Sequence, residues 1–207
     1  MDDTRPDHPG EPRPLRADAR RNLEALLRAA RDVFAVTGVD APAKEITDRA
    51  GVGIGTLYRH FPRRSDLVAA VLQREIDTCA EAGTALAQTY GAGEALSRWL
   101  HRFAGLVATK RGLASALHSG DPAFDDLPAY FLDRLEPVLA RLLDSAVTTG
   151  AVRADVSARD LLHAIPLLCQ PVRGEDLAYN RRMVAVLVDG LGTARPPTPG
   201  DAASTPG

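Results

Sequence analysis

Residues 50–61 read AGVGIGTLYRHF. Glycines alternate at 51, 53 and 55, and Thr56 follows with a hydroxyl, an arrangement shared by loops that cradle phosphate. A dinucleotide loop needs a strand before it, a glycine at the sixth position and an acidic residue about 20 positions on. Here the sixth position is Thr56, and the preceding stretch, KEITDRA at 44–50, has helical spacing. A P-loop needs a lysine directly before the hydroxyl residue, where this chain has Gly55. Both nucleotide readings fail, and no cofactor is expected.

Two short helices joined by a tight turn fit better. Residues 44–50 form the first, Gly51-Val52-Gly53 the turn, and 54–61 the second. Gly51 tolerates the left-handed backbone that ends a helix. Val52 turns its side chain between the helices. Gly53 stands at the N-cap, where glycine loses only about a few tenths of a kcal/mol against serine. Leu57 and Phe61, four apart, anchor the second helix on a core and leave Ile54, Gly55, Thr56, Tyr58, Arg59 and His60 on its other sides. This is helix-turn-helix grammar, in which the second helix enters the DNA major groove.

The flanking sequence is helical too. Ala19, Leu23, Leu26, Leu27, Ala30, Val33 and Phe34 recur at steps of three and four before Gly38. Pro62 closes the second short helix, and a long one begins near Ser65 or Asp66 with Leu67, Val68, Val71, Leu72 and Ile76 on one face. Further helices are expected over roughly 93–109, 111–118, 126–149, 157–169 and 175–190, with Ser157 and Asp160 as N-cap and N3 of the fourth of these. Pro166 lies inside that helix and should kink it. No stretch alternates with period two, so the fold class is all-α with about nine helices. Residues 1–14 and 193–207, rich in Pro, Gly, charge and small side chains, read as disordered tails.

A formal charge of −2 conceals an uneven distribution. Between Arg13 and Arg74 stand twelve Lys/Arg against seven Asp/Glu, whereas from Glu75 onward acidic residues outnumber basic ones, sixteen to twelve. A basic head on an acidic body fits an anionic partner for the head. Cys79 and Cys169 belong to no CxxC pair, which fits a reducing cytoplasm and argues against structural zinc. The five histidines lack the i,i+4 spacing of a helical metal pair, and no nucleophile elbow is present, so neither a metal site nor an enzyme is expected. No run of about 18 apolar residues is present, so no membrane partner is expected.

The stretch AGVGIGTLYRHFPRRSDL resembles the DNA-binding signature of the TetR family of bacterial transcriptional regulators, and the likeness extends over about residues 19–70. WLHRFAGLVATKRGLASAL, starting at Trp99, resembles the SbtR-like actinobacterial subset. The resemblance implies a three-helix DNA-binding domain at 15–64 and a ligand-binding and dimerisation domain at 65–192. It implies phosphate contacts from Thr56, Tyr58 and His60, whose hydroxyl, phenol and imidazole groups suit phosphate oxygens. Arg64 stands where the family usually has lysine and is expected to grip phosphate; Lys44 is placed to reach phosphate or a base edge. Gly55 lets backbone approach DNA closely, while Arg59 and Ile54 are the candidates for reading a guanine and a thymine methyl.

Aromatic rings at helical spacing usually fill a core, but the same resemblance implies an apolar effector cavity, for which Trp99, Phe103, His118, Phe124, Tyr130 and Phe131 are the candidates, with Gln88, Tyr90 and His163 as further polar groups. The last two helices are expected to meet a second copy through Leu161, Ile165, Leu168, Met183, Val184, Leu187 and Leu191, although packing within the chain's own core accounts for several of these equally well. The expected partners are a double-stranded DNA operator, a small-molecule effector and a second copy of the chain. The rival reading is a helical small-molecule-binding protein whose helix-turn-helix does not bind DNA.

Overall fold

A computed structural model describes residues 13–109 and 119–193 of the protein. The expected helix at 111–118, His118, and most of both proposed tails lie outside the described residues. Eight α-helices are present among those described: α1 (Arg13–Thr37), α2 (Ala43–Ala50), α3 (Ile54–His60), α4 (Arg64–Thr89), α5 (Ala92–Thr109), α6 (Leu127–Thr148), α7 (Ala158–Leu168) and α8 (Leu177–Gly190). A 3-10 turn, Pro122–Phe124, precedes α6. The class is all-α, as the periodicity predicts. Helix α1 opens at Arg13, inside the stretch that composition assigns to the tail, because proline at the second helical position costs a helix no hydrogen bond.

The chain divides into two compact units, and the division falls inside α4, after Arg74. The first unit holds α1–α3, the opening of α4 and, from further along the chain, residues 119–127. Its core packs Leu26, Val33 and Phe34 of α1 with Ile46, Leu57, Phe61, Leu67, Val68 and Leu72. Of the α1 positions picked out by helical spacing, Leu26, Ala30, Val33 and Phe34 are buried here and Leu23 and Leu27 pack against them, whereas Ala19 is exposed. Phe124 and Leu127 belong to this core as well. Asp121 directs them there by capping the 3-10 turn, accepting the Ala123 N–H at 2.9 Å.

The second unit holds the rest of α4 with α5–α8. Trp99, Phe103, Leu135, Leu139, Leu161 and Ile165 form its centre. Gly83 on α4 allows this packing, because a Cβ there would stand 2.3 Å from Val138 Cγ1. Helix α7 begins with the expected capping box, in which Ser157 Oγ and the Asp160 carboxylate each receive the other residue's backbone N–H. At the opposite end α7 runs past Pro166, and the buried Asn180 amide of α8 donates to the carbonyls of Leu168 (2.6 Å) and Gln170 (2.9 Å). Those carbonyls would otherwise end the helix unsatisfied. An isolated antiparallel bridge, Val152 to Gly192, joins the loop after α6 to the end of α8.

Candidate functional site

The turn between α2 and α3 has the geometry its glycines predict. Gly51 closes α2 in the left-handed region, at φ 68°, and the Val52 N–H bonds to the Thr47 carbonyl at 3.1 Å. Thr47 is buried, and its hydroxyl is satisfied by the Lys44 carbonyl at 3.0 Å. Gly53 is the extended N-cap of α3 and offers no side-chain cap. Leu57 and Phe61 are both buried, and they fix which side of the seven-residue helix faces the core.

The remaining sides of α3 are open. Ile54 is 50% exposed and Tyr58 52%; Gly55, Arg59 and His60 are exposed and Thr56 is half-buried. A Cβ added at Gly55 would meet nothing within 4 Å, so packing within the chain gives no reason for glycine there. Alanine would favour the helix by about 0.5–1 kcal/mol.

The basic residues around α3 are mostly paired. Lys44 reaches Asp48 at 2.6 Å, and Arg49 reaches Asp32 at 3.4 Å. The Asp32 carboxyl is held below its ordinary value, chiefly by the hydrogen bond from Arg31 and also by the Arg31 and Arg49 charges. Arg63 pairs with Asp66 at 2.6 Å and lies 3.6 Å from Asp121. Arg64 turns inward, donating to the carbonyls of Val39 and Ala41 and lying over the Phe34 ring. Of the five Lys/Arg from 44 to 64, Arg59 is the one with no ion pair or hydrogen bond among the described residues.

The expected effector residues do not form one group. Trp99 and Phe103 are fully buried and stacked, with ring centroids 5.6 Å apart; Phe103 meets Phe131 at 5.7 Å. The Trp99 indole N–H donates to the Cys79 carbonyl at 2.9 Å. These rings fill the core of the second unit. Tyr130 donates its hydroxyl to Asp77 at 2.8 Å, beside Arg134 at 2.7 Å from the same oxygen. Phe124 packs in the first unit instead, a correction with a simple cause: the capped turn at Asp121 sends it into that unit's core. An open cleft of about 280 Å³ lies elsewhere, with Thr84, Gln88, Tyr90, Arg141 and Ser145 in its lining. Gln88 and Tyr90 are among the polar groups expected from the sequence and Arg141 is not, because the facing of α4 and α6 is a tertiary fact.

The expected partner face also changes. Leu161, Ile165, Val184 and Leu191 are buried in this chain's own core and have no surface left for a second copy. Leu168, Met183 and Leu187 are half-buried. The apolar surface left open on α7 and α8 is Leu167 (71% exposed), Val186 (63%) and Leu177.

Known proteins decide the family. Residues 26–71 match the model for bacterial regulatory proteins of the tetR family, and 91–193 match the C-terminal domain of SbtR-like transcriptional regulators. A TetR transcription regulatory protein from Mycobacterium vanbaalenii is 36% identical, the match covering 87% of this chain and all of that one, with a TM-score of 0.68. A TetR regulator from Streptomyces coelicolor is 30% identical over 83% of this chain and 99% of its own, with a TM-score of 0.71.

The chain belongs to the TetR family. Its first unit carries that family's DNA-binding helix-turn-helix, and its second carries the SbtR-like C-terminal domain. HTH-type transcriptional regulators of Staphylococcus aureus are 39% identical over 64 residues, which make up 30% of this TetR-family chain. The match spans 35% of those relatives' length. No described helix of this TetR-family member is long and apolar enough to cross a membrane.

Proposed function

We propose that the protein is a ligand-responsive transcriptional repressor that binds a near-palindromic operator as a homodimer and is released by a small-molecule effector. The observation that carries this reading is the outer side of α3. Ile54, Gly55, Tyr58 and Arg59 are exposed together on a helix whose opposite side is fastened by Leu57, and Arg59 has no partner among the described residues. An unpaired guanidinium on such a helix suits bidentate pairing with guanine, and Ile54 suits a thymine methyl. Tyr58, His60 and Thr56 donate to phosphates, with Lys44 beside them once it exchanges Asp48 for a phosphate oxygen. Gly55 admits backbone close to the duplex.

Arg64 serves the interface from behind, by holding the start of α4 to the loop that precedes α2. Two copies related by two-fold symmetry set their recognition helices about 34–36 Å apart, in successive major grooves. Leu167, Val186 and Leu177, with the half-buried Leu168, Met183 and Leu187, supply the contact between copies. An effector bound in the second unit favours a state with unsuitable spacing of the heads, and a coupling of about 1–3 kcal/mol lowers operator affinity 5- to 150-fold.

Selection from a random DNA library, run on the ligand-free protein at two salt concentrations, tests the reading. A palindromic motif whose enrichment survives moderate salt supports it. Recovery of salt-sensitive binding with no motif sinks it.

A further inference from the structure

We propose that the cleft between α4 and α6 is the effector site and takes a compact organic carboxylate; this rests on the regulator reading above. Thr84 and Gln88 stand four apart on α4, and Arg141 and Ser145 stand four apart on α6. Residues at that spacing share one helix face, so two polar pairs line one cavity from opposite helices. Between them the lining is apolar or small, from Ala87, Ala95, Val138 and Leu142.

The charge of the lining is one-sided. Among the described residues Arg141 is its only ionised side chain, and no Asp or Glu contributes to it. Arg141 has no ion-pair partner among the described residues, whereas Arg98, Arg134 and Arg153 of the same unit are each tied to a carboxylate. The guanidinium offers a planar fork matched to a carboxylate, and the hydroxyls of Thr84 and Ser145 and the amide of Gln88 add neutral donors. A cleft of about 280 Å³ holds a body of roughly nine water-sized volumes at ~30 Å³ each. That volume suits an acid with a short aliphatic or single-ring body.

The binding site differs from the aromatic core at Trp99 and Phe103. Those rings stack on each other, the Trp99 indole N–H is satisfied by the Cys79 carbonyl, and neither ring carries a charge.

Calorimetric titration of the purified full chain with hexanoate and benzoate, set beside hexanamide and benzamide, tests the assignment. Both acids are expected to bind, and the amides at least about tenfold more weakly. Arg141→Gln should reduce acid binding to the level of the amides with thermal unfolding unchanged, since the side chain is exposed. Arg141→Lys should fall between, because lysine keeps the charge and loses the fork. Ala87→Leu, which fills the cleft without altering charge, should also weaken the acids. No binding of either acid at millimolar concentration, or equal binding by Arg141→Gln, overturns the assignment. Binding that leaves operator affinity unchanged overturns the effector role. The DNA selection uses ligand-free protein, so loss of this proposal leaves that result standing, and an absent operator motif leaves the calorimetry standing.

Discussion

The Arg64 guanidinium donates from Nε to the Val39 carbonyl oxygen at 2.6 Å. Its Nη2 donates to the Ala41 carbonyl, and the group lies 5.0 Å from the centre of the Phe34 ring. Burial lowers its pKa from the ordinary arginine value, yet it stays protonated at any physiological pH. The side chain therefore joins α4 to the α1–α2 loop. Arg64→Ala should destabilise the head by about 1–3 kcal/mol through the two abandoned carbonyls. DNA affinity should fall alike on all sequences. Because no phosphate contact is lost, the slope of log affinity against log salt should stay the same. A slope reduced by about one unit would assign Arg64 to a phosphate after all.

Arg59→Ala should behave differently. Its side chain is exposed and has no partner among the described residues, so thermal unfolding should not change. The operator motif should lose its preference at one base pair per half-site, at a cost of about 1–3 kcal/mol. Repeating the DNA selection with the variant measures this directly, and an unaltered motif removes Arg59 from base reading.

These two arginines also mark where the sequence is legible. The turn, α3 and the start of α7 follow from local rules: Gly51 at a left-handed cap, Leu57 and Phe61 four apart, Ser157 and Asp160 as a capping box. Each depends on residues a few positions away, so sequence spacing contains it. Arg64 bonds to residues 23 and 25 positions earlier, and no periodicity encodes that. Phe124 shows the same limit from another side, since its apolar character says it will be buried and not in which unit. Leu161 and Leu167 lie six apart on one helix and have opposite fates, because the facing of α7 on its neighbours decides between core and surface.

Gly83→Ala should be costly although alanine is the better helix former. The added methyl would lie 2.3 Å from Val138 Cγ1 and 3.3 Å from the Trp99 indole nitrogen. Overpacking of this kind costs about 1–3 kcal/mol, or roughly 2–12 °C in melting temperature for a chain of this size. Val138→Ala should recover part of the loss in the double variant, and a cycle of four melting curves measures the coupling. Additive effects would show that α4 and α6 part to admit the methyl.

Acid should weaken α7 in a defined direction. Asp160 is held below the ordinary carboxylate range by hydrogen bonds from the Ser157 hydroxyl and backbone N–H, with a smaller contribution from the His163 charge. A carboxylate whose folded pKa is depressed contributes stability above its unfolded pKa, about 3.9, and loses it as pH falls through the folded value. Asp160→Asn should therefore lower the melting temperature near neutrality and make it less sensitive to pH below about 4. Unfolding followed by circular dichroism between neutrality and strong acid tests this. A wild type and variant with parallel pH profiles would place the acid sensitivity elsewhere.

Leu167→Glu and Val186→Glu separate a partner-facing surface from a core. Both side chains are largely exposed in the single chain, at 71% and 63%, so neither substitution should disturb the folded monomer. In a dimer built on α7 and α8 each buries a carboxylate without a partner, and two-fold symmetry repeats that at the second copy. Sedimentation should show a folded monomer with unchanged helical content and an operator affinity reduced to that of a single half-site. Leu161→Ala is the contrasting case. Its side chain is 1% exposed within the chain, so the same instruments should register lost stability, about 2–5 kcal/mol, before any dissociation. If Leu167→Glu and Val186→Glu both sediment as dimers, the copies meet through another face.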